Sequence, residues 1–307
     1  MTTAEASPGH PTTAFSNSPT VHHIYAPSTG TWQYIIADET TSHCIVLDPV
    51  RDVCSDPAAM STSSADAIIA VVKEHGYIVD YILETHAADS QRLSGAWYLR
   101  MQLSIVQGHA PQLCNEATVT GLELMWQRKY GAGSHFSTSI RAGLEDGENI
   151  TFGCLSVVCM RMTGFGSSHR RAYLVGNDIF GAHSIATLEV EGRRAAIDFN
   201  AQGGPGRSSA EGESSEHLDA WKTTQRIFAL PPEVRIWREQ GHDVAANANS
   251  QPCDTVSRCA ALNRHAKLSE SEYLANRRAK SASMLEREPA AKPKGGWKAW
   301  FGAKMVA

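Results

Sequence analysis

At 307 residues, with 42% hydrophobic and 20% charged side chains, the chain has the make-up of an ordinary globular protein that buries a substantial core, which excludes disorder throughout. A formal charge of -4 supplies no basic footprint for a polyanion, so no nucleic-acid partner is expected. Seven cysteines, with no Cys-x-x-Cys pair among them, suggest neither a disulfide framework nor a zinc ribbon.

Residues 1–18 are rich in Thr, Ser, Pro and Ala and read as a disordered arm. Met1 to Thr20 has neither the apolar run nor the arginines of a secretory or mitochondrial signal. Nothing later reaches the ~20 apolar residues of a membrane span, and a cytoplasmic location is expected. Trp32 to Asp38 and Cys44 to Pro49 read as two strands of a hairpin. From Ser64 to His75, Ala67, Ile68, Val71 and Val72 fall at helical spacing, and Gly76 is placed to end the helix. Tyr81-Ile82-Leu83 is a short buried strand that runs into Glu84-Thr85-His86, and polar residues at such a strand end are where α/β sheets present their chemistry. Helical spacing returns from Leu93 to Leu103.

Gly147 to Phe152 and Leu155 to Met160 read as paired strands, followed by Ala172 to Val175 and by Ile179-Phe180 running into a small-residue turn at Gly181. Residues 201–216, rich in Gly, Ser and Glu, read as a flexible insertion. A helix is expected from Leu218 to Leu230 and a final strand from Val234 to Trp237. Helix signals follow from Asp254 to Arg278, with Ser269 and Glu272 spaced as a capping box. The last segment, 281–307, mixes Lys with Trp and Phe; Gly295, Gly296 and Gly302 oppose a stable helix there, and it reads as a flexible tail. Strands, a helix, more strands and more helices suggest two half-sheets, each covered by helix.

Five places carry a resemblance, in order along residues 19–280. They are Pro19 to Tyr34 with Val46-Leu47-Asp48-Pro49-Val50; Glu84-Thr85-His86 with Asp89; Thr163-Gly164-Phe165-Gly166; Phe180-Gly181-Ala182-His183; and Gly241-His242-Asp243. Together they resemble the metallo-β-lactamase superfamily, in its persulfide dioxygenase and glyoxalase II branch. The resemblance implies one domain over 19–280 with a four-layer αββα sandwich of the α/β class. It also implies a metal-dependent dioxygenase or hydrolase acting on a small thiol or glutathione-derived substrate, with iron or zinc as cofactor.

Against the family's Thr-His-x-His-x-Asp-His loop, His86 is kept, Ala88 stands for the second histidine, and Asp89 lies near the aspartate. Phe165 stands where the third histidine belongs, and a phenyl ring cannot ligate. His183 replaces an aspartate, exchanging an anionic oxygen donor for a neutral nitrogen. The candidate metal residues are therefore His86, Asp89, His183 and His242, with His169 as a further donor four residues beyond Phe165. Arg193 and Arg194 are candidates for a substrate carboxylate. Each lost donor weakens a metal site severely, so the expectation is a catalytically impaired protein. Two alternatives stand beside it: an active enzyme with a remodelled histidine site, and a metal-free small-molecule binding protein. For Asp48 and His242 there is also a purely structural role, satisfying backbone donors at strand ends.

Overall fold

The computed structural model describes residues 18–52, 61–86, 94–114, 140–141, 143–164, 170–187, 210–240, 252–263 and 265–276. The chain divides into two compact units, Met1–Lys267 and Leu268–Ala307.

The first unit holds two six-stranded sheets. One runs in chain order through β1 (Thr20–Ala26), β2 (Thr31–Asp38), β3 (His43–Leu47), β4 (Ile78–Leu83), β5 (Gln112–Cys114) and β6 (Ile140–Arg141). Its first three strands are antiparallel neighbours and the remaining pairings are parallel. The other contains β7 (Asn149–Phe152), β8 (Leu155–Arg161), β9 (Arg171–Val175), β10 (Asp178–Phe180), β11 (Arg235–Trp237) and β12 (Cys253–Thr255), ordered β12-β11-β10-β9-β8-β7. Here only β10 and β11 pair in parallel.

Three apolar clusters separate four layers. The strand period of two sends alternate residues to opposite faces. In β2, Trp32, Tyr34 and Ile36 enter the core between the sheets, while Ile35 and Ala37 face the helix side. Burial on both faces explains why β2 and β3 read as continuous apolar runs rather than alternating ones. The helix-side cluster is completed by α1 (Ser63–His75) and α2 (Ala96–Gln107) through Ile68, Val72, Leu99 and Leu103. Behind the second sheet, Ile179 and Ile236 pack with α3 (His183–Ala186), α4 (Ala210–Phe228) and α5 (Val256–Leu262) through Ile185, Ile227 and Cys259. Each large side chain so buried contributes about 1.5–3 kcal/mol. The architecture is the expected αββα sandwich.

Local signals decide several boundaries. Asp52 accepts the backbone N–H of Ser64 at 2.9 Å at the start of α1. At the other end, Gly76 takes φ 66°, and its N–H returns to Lys73 O and Val72 O, a left-handed cap that only glycine adopts at little cost. Beyond the first unit, the Ser269 N–H and hydroxyl both donate to Glu272 Oε2, at 2.9 and 2.7 Å, and open a helix over 270–276. This is the expected capping box.

Other elements differ from the expectation. β1 is a strand paired along its whole length with β2, although the segment shows no simple alternation. α4 begins at Ala210, inside the stretch read as an insertion. Glutamate is a good helix former, and one glycine adds a penalty of only about 1 kcal/mol. Val234 to Trp237 does not end the sheet, because β12 pairs antiparallel with β11; three residues are too few to carry a periodic signal. Among the described residues, no helix is long and apolar enough to cross a membrane.

Candidate functional site

Residues at the ends of β3, β4, β10 and β11 meet at one edge of the sandwich. Asp48, directly after β3, takes φ 50°, an uncommon conformation for a residue with a side chain, tolerated best by Asp and Asn. Its carboxylate accepts the Thr85 N–H at 2.7 Å and the Thr85 hydroxyl at 2.6 Å. Asp48 thus satisfies a backbone donor at the end of β4, as its structural reading anticipated.

The same hydroxyl lies 2.9 Å from His86 Nδ1. Because Thr85 has a single hydroxyl proton, and that proton goes to Asp48 Oδ2, the hydroxyl can only accept from the imidazole. The network therefore places a ring proton on Nδ1. His86 Nδ1 is also 3.9 Å from Asp48 Oδ1. The second sheet grips this strand end as well. Arg171 N–H donates to Thr85 O at 2.8 Å, and the buried Tyr173 hydroxyl donates to Glu84 O at 2.9 Å. Gly181, at φ 82°, closes the approach: a Cβ there would lie 2.5 Å from Arg171 O and 2.9 Å from Thr85 Cβ. The strand ends that carry His86 and His183 therefore abut.

His183 opens α3 and is buried, at 6% exposure. Its Nε2 lies 3.6 Å from Asp254 Oδ2, beyond hydrogen-bond distance, and has no hydrogen-bond partner among the described residues. Asp254 also receives Arg238 Nη2 at 2.9 Å and Arg258 Nη1 at 3.3 Å. His183, with the two guanidinium groups, holds the Asp254 carboxyl down to about 2. Next to it, Ser184 donates to Glu239 Oε1 at 3.2 Å, and Arg170 pairs with Glu239 Oε2 at 3.5 Å. Tyr34, from the first sheet, donates to Arg238 O. Burial, reinforced by the charges of Asp48 and Glu239, pushes its hydroxyl far above the ordinary tyrosine value.

Of the sequence candidates, the structure describes His86 and His183. Asp89, His169, His242, Arg193 and Arg194, with Ala88 and Phe165, lie outside the described residues. A family metal requires three or more donors converging on one point. Among the described residues, no group of three or more His, Cys, Asp or Glu side chains is arranged to hold a metal ion, so these residues do not by themselves fit the group. Sequence reading missed Asp254, Arg238, Glu239 and Arg170. Glu239 lies two residues before the Gly241-His242-Asp243 motif, which is the one local signal for any of them.

No protein-family model matches the chain. It is similar to a beta-lactamase hydrolase-like protein of Agrobacterium fabrum, 29% identical over 274 residues, covering 87% of this chain and 57% of that protein. The chain thus spans little more than half the length of that relative. It is also similar to a probable metallo-hydrolase of Burkholderia pseudomallei, 26% identical over 275 residues, covering 86% of this chain and 87% of the other. Among solved structures, ETHE1 from Myxococcus xanthus superposes with a TM-score of 0.54 at 15% identity, over 88% of this chain and 92% of that one. Two sheets face to face, helices outside and polar residues at one edge define the metallo-β-lactamase fold. The chain has that fold, and its similarity to these relatives supports a place in the metallo-β-lactamase superfamily.

Proposed function

We propose that this chain is a catalytically impaired member of the superfamily, one that keeps the scaffold of persulfide dioxygenase-like and glyoxalase II-like proteins but not a working metal centre. The observation that carries this reading is the placing of His183: at the position where the resemblance puts an acidic ligand stands a buried imidazole whose Nε2 lies 3.6 Å from the Asp254 carboxylate, which is held by Arg238 and Arg258. Phe165 and Ala88 support it from the sequence, since neither side chain offers a lone pair. The relatives' names point to hydrolytic and metal-dependent chemistry. That chemistry requires a metal to polarise substrate or activate water, and here its donors are depleted. A cytoplasmic place and a small thiol or glutathione-derived ligand belong to the same proposal.

A second reading is favoured by the Asp48, Thr85 and His86 network, which sets the imidazole as a ligand histidine is set, with Nδ1 fixed by a hydrogen bond. In that reading His86 is joined by Asp89, His183 and His242, with His169 as a further donor, in a remodelled iron or zinc site, and Arg193 or Arg194 takes the substrate carboxylate. Elemental analysis of freshly purified protein separates the two. The impaired reading expects well under one equivalent of iron or zinc and only background oxygen consumption with glutathione persulfide. A stoichiometric, chelator-resistant metal overturns it.

A further inference from the structure

β1 lies at the edge of the first sheet, paired with β2, and carries two consecutive histidines. Successive strand residues point to opposite faces, so the two rings have different neighbours. His23 turns inward with Val21 and Tyr25, which pack on the core between the sheets, and its ring stands 5.6 Å from that of Trp32 and 6.2 Å from that of Trp237. Its Nδ1 is buried without a hydrogen-bond partner. His22 turns to the helix side with Ile24. Its ring lies 4.6 Å from that of His75, the last residue of α1, and its Nε2 is 3.0 Å from the hydroxyl of Tyr77, just beyond the Gly76 cap. His75 and Tyr77 stack on each other at 5.2 Å. None of these groups is among the candidate ligands.

We propose that β1 is a proton-sensitive strap, closed while His22 and His23 are neutral and unfastened from both faces when they take up protons. A neutral His23 can leave Nδ1 as a bare lone pair, but an imidazolium carries N–H donors on both nitrogens, and a buried donor with no acceptor is strongly unfavourable. β2 and β11 face it with the Trp32 and Trp237 rings, and Arg235 lies over the latter at 5.5 Å. A charged His22 meets a second imidazole and loses the lone pair that its Nε2 can offer Tyr77. Around it stand His75 and Glu74 on α1, Glu39 after β2, and His23. The two glutamates favour the charge, but burial, together with the two histidines, outweighs them and lowers the pKa of the ring. Burial lowers that of His23 as well. With folded values below the unfolded one of about 6.5, closure is fully favoured above that pH and is lost as the pH falls through the folded values.

The test is amide hydrogen exchange followed by NMR at pH 7.5 and pH 5.0, read as protection factors, which remove the intrinsic pH dependence of exchange. The β1 amides bonded to β2 are expected to be less protected than those of β3, because a strap opens without the rest of the sheet, and to lose protection about fivefold on acidification. In the double variant His22→Gln with His23→Gln, the loss should fall below about twofold. Equal protection of β1 and β3, a native loss of less than about twofold, or a loss of about twofold or more in the double variant overturns the strap. Ring titrations of the native chain need no variant: His22 and His23 should both titrate below about 6.5, and either one titrating at or above that value overturns it. Should the double variant not fold, these titrations and the native exchange decide.

Discussion

Gly181 is where a single residue sets the distance between the two sheets at the site. Its φ of 82° suits glycine, and the space a Cβ would need is taken by Arg171 O and the Thr85 side chain. Gly181→Ala therefore meets both a left-handed backbone and a rigid backbone oxygen. The expected loss is about 2–4 kcal/mol, combining conformational and overpacking terms, read as a lower urea midpoint. Because Thr85 holds His86 Nδ1, the same substitution should also shift the His86 ring resonances in NMR. A variant as stable as the native chain, with unmoved resonances, would show that the strand ends do not abut.

Between elements, a fastening within the second sheet is Asp178, which is fully buried on β10. It accepts Trp237 Nε1–H at 2.7 Å and pairs with Arg235 at 2.6 Å, so both partners come from the neighbouring strand β11. These bonds join the parallel pair from which the His183 and Glu239 loops leave. Asp178→Ala strands the indole N–H and one guanidinium together, and about 2–4 kcal/mol should be lost, since hydrogen bonds to charged groups are worth about 1.5–3 kcal/mol. Chemical denaturation checks this, and Asp178→Asn, which keeps one acceptor, should recover part of the loss.

Across the whole first unit, Asp38 joins the sheets at a distance from the site. It lies at the end of β2, is 3% exposed, and its Oδ2 accepts the Cys154 N–H from the turn between β7 and β8 at 2.6 Å. Burial opposes its charged form, but hydrogen bonds from Thr40, Cys154 and Thr41 together outweigh that and draw its carboxyl well below the ordinary value. A carboxylate with a depressed folded pKa contributes stability that is fully present above the unfolded value, about 3.9, and is lost as the pH falls toward the folded one. Asp38→Asn should therefore be less stable than the native chain at pH 7, and the difference should shrink progressively below about pH 4. Denaturant midpoints measured across pH 7 to 2.5 test the sign; a difference that grows on acidification contradicts it.

The sequence by itself determined the elements whose signal is local. α1 and its Gly76 stop, the β2 and β3 hairpin, the β7 and β8 pair and the Ser269 capping box each depend on residues a few positions apart, where periodicity and backbone preference act directly. It also placed Asp48, Thr85 and His86 at strand ends, and the ordered motifs carried the sandwich. Only the tertiary structure decided what those strand ends touch. His183 meets Asp254 at a separation of 71 positions, and Arg170 meets Glu239 at one of 69. β12 exists because β11 offers it an edge. Such contacts depend on where the two sheets and their outer helices bring the chain back upon itself, and side-chain type along the sequence holds no record of that separation. A histidine reads the same in the sequence whether its ring meets a metal or a carboxylate, and only the fold brings Asp254 to within 3.6 Å of His183.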